Sequence, residues 1–156
     1  MAGFLLDGRI AVRFCTTLTP STTAPTQASL VAGVDLVGTK QTEELIEING
    51  WEIQTSSIPT PGYAGVETGS LSGESQYPAS SLAWRKDATS TTIYVSQIAG
   101  AAGFVVIAQD GLGSTKEAEV FPVTVASRER RKARNVPNSF VANYSLAPKV
   151  IAVQAA

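Results

Sequence analysis

The sequence predicts a mainly β domain, a β-sandwich or small barrel with one flanking helix, and three observations carry that prediction. Short stretches of alternating apolar and polar residues recur, as in Arg9-Ile10-Ala11-Val12-Arg13-Phe14, which is the period of a half-buried strand. Serines and threonines outnumber Lys, Arg, Asp and Glu combined, and the branched Cβ of threonine suits a pleated surface. With 13 Gly and 8 Pro, turns between short elements are plentiful. A chain of this mass scales to about 7,500 Å² of surface when folded against roughly 23,000 Å² when open. That is enough burial for one core, so residues 1–156 are expected to form a single domain.

The first strand places Ile10, Val12 and Phe14 on one face and both arginines on the other, with Cys15 at its end as a small buried hydrophobe. Cys15 to Thr26 is a Thr/Ser/Pro loop, after which Gln27 to Ala32 supports one or two helical turns closed by Gly33. Glu43 to Ile48 reads as a second strand, with Ile46 and Ile48 inward and Glu43 and Glu47 on the opposite face beside Leu45. Asn49-Gly50 then either turns a hairpin or lets Trp51-Glu52-Ile53 continue the strand through a bulge.

From Gln54 to Ser81 there is almost no period. Roughly 25 residues without an element are uncommon inside a compact domain. The few apolar residues there, Ile58, Tyr63, Val66, Leu71 and Tyr77, have little to pack on locally. The segment is therefore expected to be an arm that orders against a neighbouring subunit, with Ile58, Pro59, Thr60, Pro61, Tyr63 and Leu71 as its contact residues.

Strand character resumes at Ser80 to Arg85, and Asp87 is placed to cap a helix through Thr89 to Ile98 that ends at Gly100. Phe104 to Ala108 is a continuous apolar run, hence a buried strand, closed by Asp110-Gly111-Leu112-Gly113. Glu117 to Val125 alternates, and Pro122 within it predicts an edge position or a break in the ladder. Two strands, Ser139 to Leu146 and Lys149 to Gln154, follow a basic loop.

Composition excludes most chemistry. The chain has no histidine and one cysteine, which removes the usual neutral-pH base, the commonest metal ligand, any intramolecular disulfide and any CxxC pair. No catalytic, cofactor or metal site is expected. Gly69-Ser70-Leu71-Ser72-Gly73 only superficially resembles a nucleophile elbow, because leucine holds the central position. Gly111-Leu112-Gly113 before Lys116 lacks the ending of a phosphate loop and reads as a turn. Asn143-Tyr144-Ser145 fits a glycosylation pattern by chance, within a predicted strand. The longest apolar run, Ile98 to Ala108, is far short of the roughly 18 residues of a membrane helix. The N-terminus lacks a basic region followed by a cleavable apolar stretch, which predicts assembly in a cytoplasm.

Two charged groups stand out. Glu43, Glu44, Glu47 and Glu52 assemble no recognisable cleft; they read as a solvated strand face, or as an acidic interface or channel wall. Arg128-Glu129-Arg130-Arg131-Lys132-Ala133-Arg134 carries five basic residues in seven. A flexible solvated loop or a contact with an acidic face of another copy both fit it. Nucleic-acid binding fits poorly, since the chain is slightly acidic and no stacking aromatics flank the block.

The order of segments resembles that of the major tail proteins of long-tailed bacteriophages, the tail tube family. The resemblance covers about Pro25 to Val125. It rests on Pro25-Thr26 before a short helix and Gly33-Val34-Asp35-Leu36, then Gly50-Trp51, Thr60-Pro61-Gly62 and Ser80-Ser81-Leu82-Ala83-Trp84. Asp87 precedes the second helix, and Gly100-Ala101-Ala102-Gly103-Phe104-Val105-Val106-Ile107 and Phe121-Pro122-Val123-Thr124-Val125 close the match. The resemblance implies a virion structural protein whose six copies close into a ring with a continuous inner barrel, the rings stacking into a tube through which viral DNA passes without specific binding. It implies as partners other copies of the chain, a tape measure protein, a tail terminator and baseplate or tail tip proteins, and it implies no membrane. The 54–81 segment would be the arm to a neighbouring subunit or ring, Arg128, Arg130, Arg131, Lys132 and Arg134 an electrostatic contact between copies, and Glu43 and Glu47 the acidic wall of the lumen or interface. A different class also fits the composition: a monomeric Ig-like or carbohydrate-binding module using Trp51, Tyr63 and Trp84 as a platform.

Overall fold

The computed structural model describes residues 10–39, 42–61, 68–89, 91–132 and 138–156. Among these residues ten strands and two short helices follow one another: β1 Ala11–Cys15, α1 Gln27–Val31, β2 Val34–Asp35, β3 Glu43–Asn49, β4 Gln54–Pro61, β5 Thr68–Gln76, β6 Ser80–Lys86, α2 Thr92–Ser96, β7 Ala102–Ala108, β8 Glu117–Arg130, β9 Ser139–Leu146 and β10 Val150–Val153. Eight of the strands form one antiparallel sheet in the order β2-β1-β7-β8-β9-β6-β3, with β10 on β8. After β2 the chain turns to meet β3, where Leu45 N–H donates to the Val37 carbonyl at 2.9 Å and Thr39 N–H to the Glu43 carbonyl at 2.8 Å. Those bonds close the sheet on itself at that end.

Alternation along the strands builds two cores. Val12, Phe14, Leu82, Trp84, Val105, Ile107, Phe121, Val123, Phe140 and Tyr144 fill the barrel, while Leu30, Val106, Ala108, Ala118, Val120 and Ala152 pack beneath α1. β7 is buried on both faces, which is why its sequence is apolar without a break. Trp84 is fully buried, stacked on Phe140 at 5.0 Å, with its indole N–H donating to the Leu36 carbonyl at 2.6 Å. Burying a large apolar side chain of this kind is worth about 3 kcal/mol, and the indole N–H keeps a partner inside.

α1 begins where the sequence places it. Thr26 accepts from the Ser29 N–H through its side chain, the usual threonine cap, and Leu30 is the residue it buries. Gly33 follows because a Cβ there would sit 2.4 Å from the Cys15 Sγ. Closure of the barrel needs Gly38 even more strictly. Its φ is +70°, and a Cβ would lie 1.7 Å from the Glu43 carbonyl oxygen, a left-handed position and a close backbone approach at once.

Several sequence expectations are corrected. In β3, Leu45 pairs with Trp84 and Glu47 with Ala83, so Ile46 is an extra, bulged residue. A one-residue slip exchanges faces. Leu45 therefore packs on the core, whereas Ile46 and Ile48 are 41% and 38% exposed. The strand stops at Asn49, Gly50 and Trp51 both adopt positive φ, and the next strand belongs to a separate sheet, so neither a hairpin nor a continued strand forms. β8 is interior, not an edge, despite Pro122. A residue's N–H and C=O point to the same side of a strand. The Pro122 carbonyl accepts from Ala147 N–H, so its missing donor faces the gap between β10, which pairs as far as Val120, and β9, which starts pairing at Val123. α2 is shorter than expected, and Asp87 does not cap it. The period-free stretch holds two strands, β4 and β5. β2 has no counterpart among the predicted elements.

Candidate assembly surfaces

β4 and β5 form their own two-stranded sheet, in register from Gln54 opposite Gln76 to Pro61 opposite Thr68, with one shift between Thr55 and Ser57. Ile58 lies opposite Leu71, Pro59 opposite Ser70 and Thr60 opposite Gly69. Among the described residues this hairpin shares no ladder with the barrel. Its sequence lacks a period because most of its residues are Ser, Thr, Gly or Pro. Thr55 Oγ1 and Ser75 Oγ meet at 2.9 Å, a cross-strand pair of the kind that steadies small sheets. An isolated hairpin is marginal in water. Tyr63 lies outside the described residues.

Glu43 and Glu47 do not share a surface, because the bulge separates them. Glu43 is 2% exposed, and its carboxylate accepts from Ile93 N–H at 2.9 Å and Tyr94 N–H at 2.8 Å. It caps α2 from a strand fifty residues away, which corrects its assignment to an open acidic wall. Glu47 is exposed and bonds Arg131 at 2.7 Å. That hydrogen bond, more than any other influence, holds its carboxyl below the ordinary value. The two charge blocks of the sequence thus meet within one chain.

The basic block is not one loop. Arg128 and Arg130 lie in β8, Arg131 and Lys132 just beyond it, and Arg134 outside the described residues. The Arg128 guanidinium stacks on the Tyr94 ring at 3.7 Å and donates to the Tyr94 carbonyl. Lys86 Nζ and the Arg130 guanidinium lie 5.6 and 5.8 Å from the same ring centre. Such stacking is worth about 0.5–2 kcal/mol depending on desolvation. Arg130 also donates to Asn138 Oδ1 at 2.7 Å. No sequence signal marks Tyr94 for this role, since both arginines lie more than thirty residues away in the chain.

A ligand platform of tryptophans is not available. Trp51 is 4% exposed and Trp84 fully buried; Trp51 packs edge-on against Phe121 at 5.1 Å. Burial pushes the Cys15 thiol up, partly offset by Arg13, so it behaves as core.

A family model described as phage tail tube protein matches residues 1–155. The fold is similar to a chain in the structure of the PVC sheath-tube complex of an extracellular contractile injection system in its extended state, with TM-score 0.53 and 10% identity over 94% of this chain and 90% of that one. It is also similar to a chain of the six-fold symmetrised baseplate of the anti-feeding prophage, with TM-score 0.54 and 10% identity over 97% of both. A search of curated protein sequences finds no match.

Proposed function

The chain belongs to the phage tail tube protein family, and from that premise we propose that it assembles from six copies per ring into stacked rings whose lumen carries viral DNA during ejection. As a member of that family it is a structural subunit of the virion tail and not an enzyme. The observation that carries the finer proposal is the β4–β5 hairpin, a polar two-stranded sheet that shares no ladder with its own barrel among the described residues. A segment so poorly supported by its own subunit is stabilised by a second one. The hairpin is the arm between subunits or rings, and residues 1–156 are a single tail tube domain that includes it.

An open strand edge adds to this. Beyond Leu45 the outer edge of β3, Ile46 to Asn49, has no strand partner among the described residues. A neighbour that pairs with it turns a liability into a contact, and head-to-tail contacts of this kind close into rings. Arg128, Arg130, Arg131 and Lys132 serve contacts between copies, with Glu47 at the surface between them. A tape measure protein, a terminator and baseplate or tip proteins complete the tail, assembled in the host cytoplasm.

Deleting residues 60–73 should leave a folded monomer, since the barrel loses no strand, while tubes vanish from negative-stain images of concentrated protein. Tubes of normal length from the deleted chain would remove the arm assignment. Wild-type protein that stays monomeric at every concentration and salt would remove the ring-and-tube proposal.

A further inference from the structure

At one end of the barrel a cleft of about 430 Å³ opens where three strands meet. Ile10 stands just before β1, Ile107 near the end of β7 and Ile48 near the end of β3, while Trp51 and Ile53 follow β3; all five line the cleft. The Glu119–Lys149 ion pair lines it too. Ile48 lies opposite the fully buried Leu82, yet it is 38% exposed. Ile53 is 48% exposed, and Ile151, opposite Glu119, is 49% exposed. This side is open because the outer edge of β3 from Ile46 to Asn49 has no strand partner among the described residues. Apolar side chains gathered around a concavity mark a place where something docks.

The chain itself supplies an occupant. Residues 1–9 lie outside the described residues and join the structure at Ile10, which is part of the cleft wall. They carry Phe4-Leu5-Leu6 followed by Asp7-Gly8. Asp-Gly is a strong turn signal, so the sequence favours a chain that folds back at this point. Only Asp7, Gly8 and Arg9 separate Leu6 from Ile10, and that length spans at most ~14 Å. Leu6 is therefore held close to the cleft. A tether so short gives an effective concentration on the order of millimolar, which the same segment of another copy matches only at high protein concentration. Charge agrees as well, since Arg9 brings a cation to a lining that holds Glu52 and Glu119 against Lys149.

We propose that Phe4-Leu5-Leu6 docks in this cleft of its own chain, against Ile48 and Ile53, and closes the barrel at that end. Removal of apolar surface from water on both sides drives the contact. It is made by side chains, so the backbone edge of β3 remains open to a neighbouring copy. The contact concerns a single chain and stands independently of the tube assignment.

The experiment is a double-mutant cycle in the full-length chain, at concentrations too low for assembly. One variant carries Phe4→Ser, Leu5→Ser and Leu6→Ser, the second carries Ile53→Ser, and the third carries all four changes. These positions lie outside the buried core, so every variant should fold. The triple variant should lower the melting temperature by about 3 °C or more. Its amides across residues 46–53 should exchange about tenfold faster, with the β6–β9 ladder unchanged. Ile53→Ser should reproduce part of both effects, and the fourfold variant should fall no further than the triple one, because both remove the same contact. A triple variant identical to wild type would overturn the proposal, and so would losses that simply add. Faster exchange spread equally over β6 and β9 would overturn it by showing a global loss. Protection of residues 46–53 that disappears on hundredfold dilution would also overturn it, because the occupant would then be another copy.

Discussion

Replacing Glu43 with alanine should destabilise the barrel far more than any other change to a strand carboxylate. Its two oxygens accept from Ile93 and Tyr94 N–H at 2.9 and 2.8 Å inside the protein, and the side chain is 2% exposed. A hydrogen bond to a charged group contributes about 1.5–3 kcal/mol net, and the orphaned amides would keep their desolvation cost. Two such bonds give a loss of about 3–5 kcal/mol. For a chain of this length that lowers the melting temperature by roughly 10 °C. Glu43→Gln should fall between, since its one carbonyl oxygen serves one amide while its NH₂ group faces the other. The assay is urea unfolding followed by fluorescence of the two buried tryptophans, at protein concentrations too low for assembly. The slope with urea should stay unchanged, because the unfolded surface is the same. A Glu43→Ala loss below about 1 kcal/mol, or a Glu43→Gln variant as stable as wild type, would refute the account of α2 being held by this carboxylate.

Gly38→Ala should cost more than about 3 kcal/mol or prevent folding, because strain at positive φ adds to a backbone clash; soluble yield and urea midpoint test it, and a loss under 1 kcal/mol would contradict the closure of the barrel at this point. Tyr144 is buried, its hydroxyl donating to Gln97 Oε1, and burial pushes its phenol far above the ordinary 10.0. Since the folded-state value is raised, the protonated phenol's stabilisation is present in full below pH 10 and is lost as pH rises above it. The slope from this group is about 1.4 kcal/mol per pH unit. Tyr144→Phe should remove that increment from stability measured between pH 10 and 11, and an identical slope in the variant would refute it.

The legible part of the fold was local. Gln27 to Ala32, closed by Gly33, reads as a short helix, and α1 spans Gln27–Val31 with Gly33 just beyond it. Phe104 to Ala108 is apolar on both faces because two cores enclose β7. The candidate site was legible only as composition: which residues were charged, and which stretch lacked a period. Alternation failed in β3, where the bulge at Ile46 reverses the faces, and a bulge is chosen by pairing with β6, not by the strand's own sequence. The hairpin went unread because Ser, Thr, Gly and Pro make up most of its sequence, which leaves no period to find.

The sequence by itself determined that this chain is β-rich and without histidine chemistry, since residue inventory and local periodicity need no partner to be read. Only the tertiary structure decided which carboxylate is a cap and which is surface, and which arginines share a ring. Those roles depend on groups more than thirty residues apart in the chain, such as Glu43 and Tyr94 or Glu47 and Arg131, brought within hydrogen-bonding distance by the packing of the strands and α2.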